Sequence, residues 1–311
     1  MVGRRSSMVS RRSSSPIALL FCCSSFEKIS DMKKFLVIAI AFTCLCSEQI
    51  MAQVNMPAPS PTQTIRQDFG MGRIELTYSR PSVKGRKLFK ENSELAPLGK
   101  LWRTGANAAT KIKFTDKVMM GGKSIDTGTY VLYTIPNKNN WEVILNKGLT
   151  NWGVDGYKES EDVVRFTVPS HSVKPAAETF TIQISNINPE SAALHIMWGG
   201  TGVNVPITTN VKDRLRAQIE NALKADKKPM PYQQAANFYY EWDKDYAKAL
   251  DYTNKAIEGN PKAFWLYLMK ARIQKDMGDK TGSKASAQKT IEIATEAKND
   301  DYVRMAKDLM K

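Results

Sequence analysis

At about Asn210 the apolar pattern of this chain changes its period, and that change restricts the fold more than any composition figure does. Before it, Arg73-Ile74-Glu75-Leu76-Thr77-Tyr78, Thr110-Lys111-Ile112-Lys113-Phe114 and Thr129–Ile135 place every second side chain on one face, as half-buried strands do. Trp141–Leu145, Val163–Val168, Phe180–Ile187, Ala192–Trp198 and Val203–Ile207 extend the set. Turn residues stand between them at Gly121-Gly122, Asp126-Thr127-Gly128 and Pro136–Asn140, and Gly199-Gly200-Thr201-Gly202 reads as a hairpin turn. Many short strands with no helical pattern among them predict an antiparallel β-sandwich or barrel over residues 63–208.

After Asn210, Val211, Leu215, Ile219 and Leu223 fall on one helical face, with Asn210 placed to cap the start. Lys227-Lys228-Pro229-Met230-Pro231 breaks that helix. Paired helices follow over Tyr232–Trp242, Tyr246–Glu258, Ala263–Met277, Thr281–Ala297 and Asp301–Leu309, stopped at Gly259-Asn260-Pro261 and Gly278-Asp279. Residues 209–231 therefore read as a connecting helix and linker, and 232–311 as a small α-helical hairpin domain, α+β overall in two domains.

The helical part resembles a tetratricopeptide repeat. Asp245-Tyr246, Ala249, Ala256 and Pro261 fit its second helix and closing proline, and Gly278-Asp279 restarts the phase after about 34 residues. Ser283 and Thr290 stand at the usual alanine positions of the second copy. Only two degenerate copies fit, so the helices are expected to pack on the sandwich as well as on each other, and the resemblance implies a surface for a protein partner.

The segment Met32–Gln53, MKKFLVIAIAFTCLCSEQIMAQ, carries the charged, apolar and cleavage regions of a secretory signal peptide over residues 32–52, with a cut expected after Ala52. Its apolar run is too short for a membrane span of about 20 residues, so no transmembrane segment is expected. Residues 1–31 read as an extension upstream of a true start at Met32, or as an Arg- and Ser-rich transit peptide, and residues 53–62 as a linker. The expected address is exported, periplasmic or extracellular. Cys22, Cys23, Cys44 and Cys46 all precede the cut, so the mature chain would lack thiols. Disulfides, zinc–thiolate sites and cysteine catalysis drop out with them, and Phe42-Thr43 and Cys44-Leu45 are poor contexts for lipoprotein processing.

Seven of the 45 basic and three of the 31 acidic residues precede the cut, leaving about +10 on the remainder. Such an excess favours acidic partners, an anionic glycan or lipopolysaccharide before nucleic acid, which an exported chain rarely meets. Between Gln53 and Pro206 the basic excess is five, and Arg80, Lys84, Arg86, Lys87, Lys90, Lys100 and Arg103 against Glu91 and Glu94 account for all of it. Arg80, Arg86, Trp102, Arg103 and Asn107 thus form a candidate ligand-binding loop region, with guanidinium forks for an anion and an indole to stack on a sugar. Two readings fit the same residues: an anion or glycan site, or arginines paired with carboxylates at the sandwich rim beside solvated lysines.

The runs YSRPSVKGRKLF, GKLWRTGANAATKI, GGKSIDTGTYVLYTIP, WEVILNK and NWG resemble the bacterial family labelled domain of unknown function 2911, over roughly Gln63–Ile207. The resemblance implies a secreted all-β domain with no established activity, and such proteins carry helical tails like this one.

Other chemistry is sparse. His171 and His195 lie in or beside separate strands without a local ligand partner, so packing is expected and no metal site is assigned. Asp155, Glu159, Glu161 and Asp162 crowd one loop without the alternation of a calcium loop. No nucleophile elbow occurs, and no catalytic residue or cofactor is expected. The function these features favour is a non-catalytic extracytoplasmic binding or scaffold protein, with a helical tail for protein interaction. The alternative is a hydrolase of envelope carbohydrate with carboxylates hidden among the strands, for which Glu75, Glu142 or Glu178 can be named only arbitrarily, while Trp102, Trp141, Trp152 and Trp198 read instead as a sugar-stacking platform or as core.

Overall fold

Alternation does give strands, and nine of them join in one antiparallel sheet of order β1-β2-β3-β6-β7-β8-β9-β4-β5. They are β1 (Thr62–Phe69), β2 (Gly72–Ser79), β3 (Thr110–Phe114), β4 (Val118–Met120), β5 (Lys123–Ile125), β6 (Gly128–Pro136), β7 (Asn140–Asn146), β8 (Asp162–Ser185) and β9 (Ser191–Thr208). The computed structural model describes Met56–Lys311 apart from Asp226. The expected signal peptide, residues 1–31 and the four cysteines lie outside the described residues.

Two long strands bend this sheet over its own core. The segments read as four strands at its C-terminal end are only β8 and β9, because neither chain turns back. Gly199 adopts φ +56 inside β9, a conformation that favours glycine, so the expected hairpin turn is instead a bend in a continuous strand. Register slips between Ser172 and Ala177 and between Ala177 and Thr181 bend β8 to match. The first part of β8 pairs with β7 and its remainder with β9. Phe180 N–H donates to Pro81 O (2.8 Å) and Val83 N–H to Glu178 O (2.8 Å), sewing the segment after β2 to β8.

One apolar cluster fills the folded sheet, drawing Leu76, Ile112, Met120, Ile125, Leu145, Ile182 and Ile207 from seven strands. Its centre is aromatic: Trp102 stacks on Trp198 at 5.8 Å and meets Phe180 at 5.1 Å edge-on, while Phe89 lies 4.9 Å from Trp141. Such pairs add about 1 kcal/mol each beyond area burial.

Six helices follow: α1 (Lys212–Lys224), α2 (Tyr232–Phe238), α3 (Tyr246–Gly259), α4 (Phe264–Asp276), α5 (Lys280–Glu296) and α6 (Asp300–Leu309). Asn210 Oδ1 accepts the Asp213 N–H (3.1 Å), and Glu190 Oε1 accepts those of Val211 and Lys212, fixing the start of α1 to the sheet. Asp245, Asp279 and Asn299 cap α3, α5 and α6 in the same way. Past Phe238 the chain widens into a π-turn, Tyr239–Asp243, which ends on a left-handed Lys244. Ile219, Ala235, Phe238, Ala249 and Ile273 form one helical cluster and Leu268, Ala271, Ala287 and Ala306 another, neither sharing a residue with the cluster inside the sheet. The helices meet the sheet at the start of α1, where Val211 lies over Gly70 and Arg214 pairs with Asp116. Among the described residues no helix is long and apolar enough to cross a membrane.

Candidate binding surfaces

The basic loop region divides into residues that hold the fold and residues that face water. Arg80 Nε donates to Phe180 O (3.1 Å) and its Nη2 to Thr181 Oγ1 (2.8 Å). Arg86 spends its donors on the carbonyls of Val83 and Ser82, and Arg103 Nη1 donates to Asn107 O (2.8 Å). Asn107 in turn donates to Ser79 Oγ and Ser60 O, both at 3.3 Å. Arg103 and Asn107 therefore meet each other, whereas Arg80 and Arg86 each stitch a different stretch of backbone. Trp102 is 2 % exposed, with its indole N–H on Gly105 O (3.0 Å). It is a core residue, and stacking on a sugar is closed to it; the sequence could not show this because its segment lies between regular strands. Trp141 and Trp198 are fully buried, which leaves only Trp152 exposed among the four tryptophans of the expected platform.

Rim pairing with acids is not what holds the arginines either. Among the described residues no carboxylate forms an ion pair with Arg80, Arg86 or Arg103, so carbonyl dipoles hold charges that stay unneutralised. Lys84, Lys87, Lys90 and Lys100 are exposed around them.

The carboxylates proposed for hydrolysis are dispersed. Glu75 lies 3.8 Å from both Arg66 and Lys113, Glu178 accepts the Lys84 N–H, and Glu142 pairs with Arg165 at 2.9 Å. Arg165 also holds Asp162 at 3.0 Å and donates to Tyr157 Oη, while Tyr157 donates to Asp162 (2.8 Å) and Asn146 braces the other Asp162 oxygen. Burial first, then the Asp162 carboxylate, raises the Tyr157 pKa well above the usual phenol range. The acidic loop is thereby tied into the sheet through Arg165, and among the described residues no group of three metal-ligating side chains gathers.

The two histidines are not isolated. His171 on β8 and His195 on β9 bring their Nε2 atoms to 3.0 Å, with rings tilted by 33° and both side chains half-buried. No sequence spacing signals this contact, since it depends on the bend of both strands. Burial, and then the neighbouring His171, pushes the His195 pKa down.

A groove runs across α2, α4 and α6, lined by Asn237, Tyr240, Arg272, Tyr302 and Met305 and holding about 240 Å³. A larger cleft of about 930 Å³ opens between Met230, Tyr232, Lys255 and Asn260. Trp265 borders both, 37 % exposed, and its indole N–H donates to Gln233 Oε1 at 3.3 Å. The helical pattern pointed to these elements but not to Trp265, which the sequence alone leaves indistinguishable from a core residue.

Residues 60–207, the sheet from just before β1 to the end of β9, match a family described as a protein of unknown function (DUF2911). No curated protein matches the chain.

Proposed function

We propose that this is a non-catalytic extracytoplasmic binding or scaffold protein, in which the sheet is a rigid base and the helical half receives an extended peptide of a protein partner. The exposed Trp265, which borders two concavities, carries this reading, because a large indole left at a groove wall is what a peptide side chain buries against. The repeat-like order of the helices supports it: the first helix of each successive pair and the terminal α6 present the groove. The signal-like segment Met32–Gln53 supports the address. A random peptide display library panned against the chain should return a sequence family whose affinity falls at least tenfold with Trp265→Ala or Arg272→Ala and is unchanged by Lys87→Ala. Failure to enrich a family, or binding indifferent to both groove substitutions, overturns it.

A second reading concerns the basic loop. Lys84, Lys87, Lys90 and Lys100 are exposed and form no ion pair among the described residues, a surface suited to an anionic glycan or lipopolysaccharide. Retention on an immobilised acidic glycan should fall with salt and be lost in the fourfold alanine variant; unaltered retention removes it. The hydrolase alternative gains no support, since its candidate carboxylates sit in three separate contacts, Glu75 between Arg66 and Lys113, Glu142 on Arg165 and Glu178 on the Lys84 N–H.

A further inference from the structure

We infer that His171 and His195 form a two-imidazole site for a divalent transition-metal ion of the copper, nickel or zinc class. Their Nε2 atoms stand 3.0 Å apart. Imidazole nitrogens bind such ions at about 2.05 Å, so an ion touching both would subtend roughly 94° between them. That is close to the cis angle of a square-planar or octahedral site, whereas a tetrahedral ion needs nitrogens about 3.3 Å apart. The nitrogen separation therefore already matches copper and nickel, and zinc after a small opening.

Without an ion, one ring donates its Nε2–H to the other, and the 5.1 Å between ring centroids says that the rings meet almost end to end. Coordination requires the donor ring to carry its proton on Nδ1 instead, leaving both Nε2 lone pairs free, and each ring to swing so that the lone pairs converge. No proton leaves the protein in that exchange of tautomers. Gly202, directly across from His171 in the ladder, leaves the space: a Cβ there would lie 3.1 Å from His171 Nε2. Among the described residues no third ligand joins the pair, so water would fill the remaining positions and stay exchangeable. An ion held in this way clamps β8 to β9 at the bend.

The chain has two histidines in all, so any imidazole signal comes from this pair. The test is calorimetric titration of the tag-free chain, its thiols blocked with N-ethylmaleimide, with cupric, nickel and zinc chlorides, together with electron paramagnetic resonance of the cupric form. One ion per chain is expected, copper bound most tightly, with hyperfine structure from two nitrogens and at least a tenfold loss of affinity in His171→Ala and in His195→Ala. If an alanine variant loses its cooperative melting transition, the corresponding His→Gln variant must show the same loss. Equal affinity in the doubly substituted chain, or a cupric spectrum without imidazole nitrogen, overturns the site.

Discussion

Single residues decide how this sheet closes, and Gly121 is the clearest of them. It turns β4 into β5 at φ +55, and a Cβ there would stand 2.8 Å from Cβ of Phe166 and nearer still to its ring. Phe166 packs against the central cluster, so it has little room to retreat. Gly121→Ala should cost about 2 kcal/mol or more, the left-handed backbone contributing about 1 and the clash the rest. Urea unfolding should show a lower midpoint at unchanged slope; a stability within 0.5 kcal/mol of the parent would contradict the geometry. Gly121-Gly122 was legible as a turn, because two glycines between apolar residues have few other uses. The roles of Arg80, Trp102 and Arg103 were not, since a guanidinium that holds a carbonyl and one that awaits a ligand are written with the same letter. His171 and His195 are 24 residues apart along the chain, and only the bends of two strands bring them together.

Elements are joined by charge as well as by apolar packing, and α1 shows it. Its Arg214 pairs with Asp116 of the sheet at 2.7 Å, while Arg216 and Lys212 hold Asp243 of the π-turn at 2.6 and 3.3 Å. The Arg216 guanidinium, more than burial opposes it, keeps the Asp243 carboxyl below its ordinary range. A carboxyl depressed in the folded state stabilises at pH values above its unfolded pKa of about 3.9, and that contribution is lost as pH falls through the folded value. Hydrogen exchange of the α1 and α2 amides should therefore accelerate as pH drops below about 4 relative to that of β6 and β7, after correction for intrinsic rates. Asp243→Asn should reduce this pH dependence and leave the share of Asp116 and Asp213, whose carboxyls are also held low, and an unchanged profile in that variant would refute the assignment. The helices themselves were readable from their 3.6-residue period and their caps. The bends of β8 and β9 were not, since a strand crossing between layers at a glycine looks in sequence like two strands and a hairpin.

At the scale of the molecule, Pro57–Lys311 forms one compact unit built around separate apolar cores, and this arrangement sets what each half needs from the other. A sheet that relied on the helices would share a cluster with them, and removing the helices would expose apolar area at roughly 25 cal/mol per Å². Instead the sheet completes its core with its own strands and the loop carrying Leu88 and Phe89. What it would lose in a chain ending at Asp213 is chiefly the Arg214–Asp116 pair, 43 % and 15 % exposed at its two side chains, a link worth at most about 1 kcal/mol. For a sheet of this size that corresponds to roughly 2–4 °C in melting temperature. The shortened chain keeps Asn210, Val211 and Lys212 under Glu190, so the end of β9 remains fixed. Fluorescence of the buried Trp102, Trp141 and Trp198 should then report a cooperative transition within about 5 °C of the parent's. Aggregation, or a transition broadened and lowered by more than about 10 °C, would mean that the helices cover a face the sheet cannot leave in water, and that the groove on α2, α4 and α6 cannot be altered without disturbing its base.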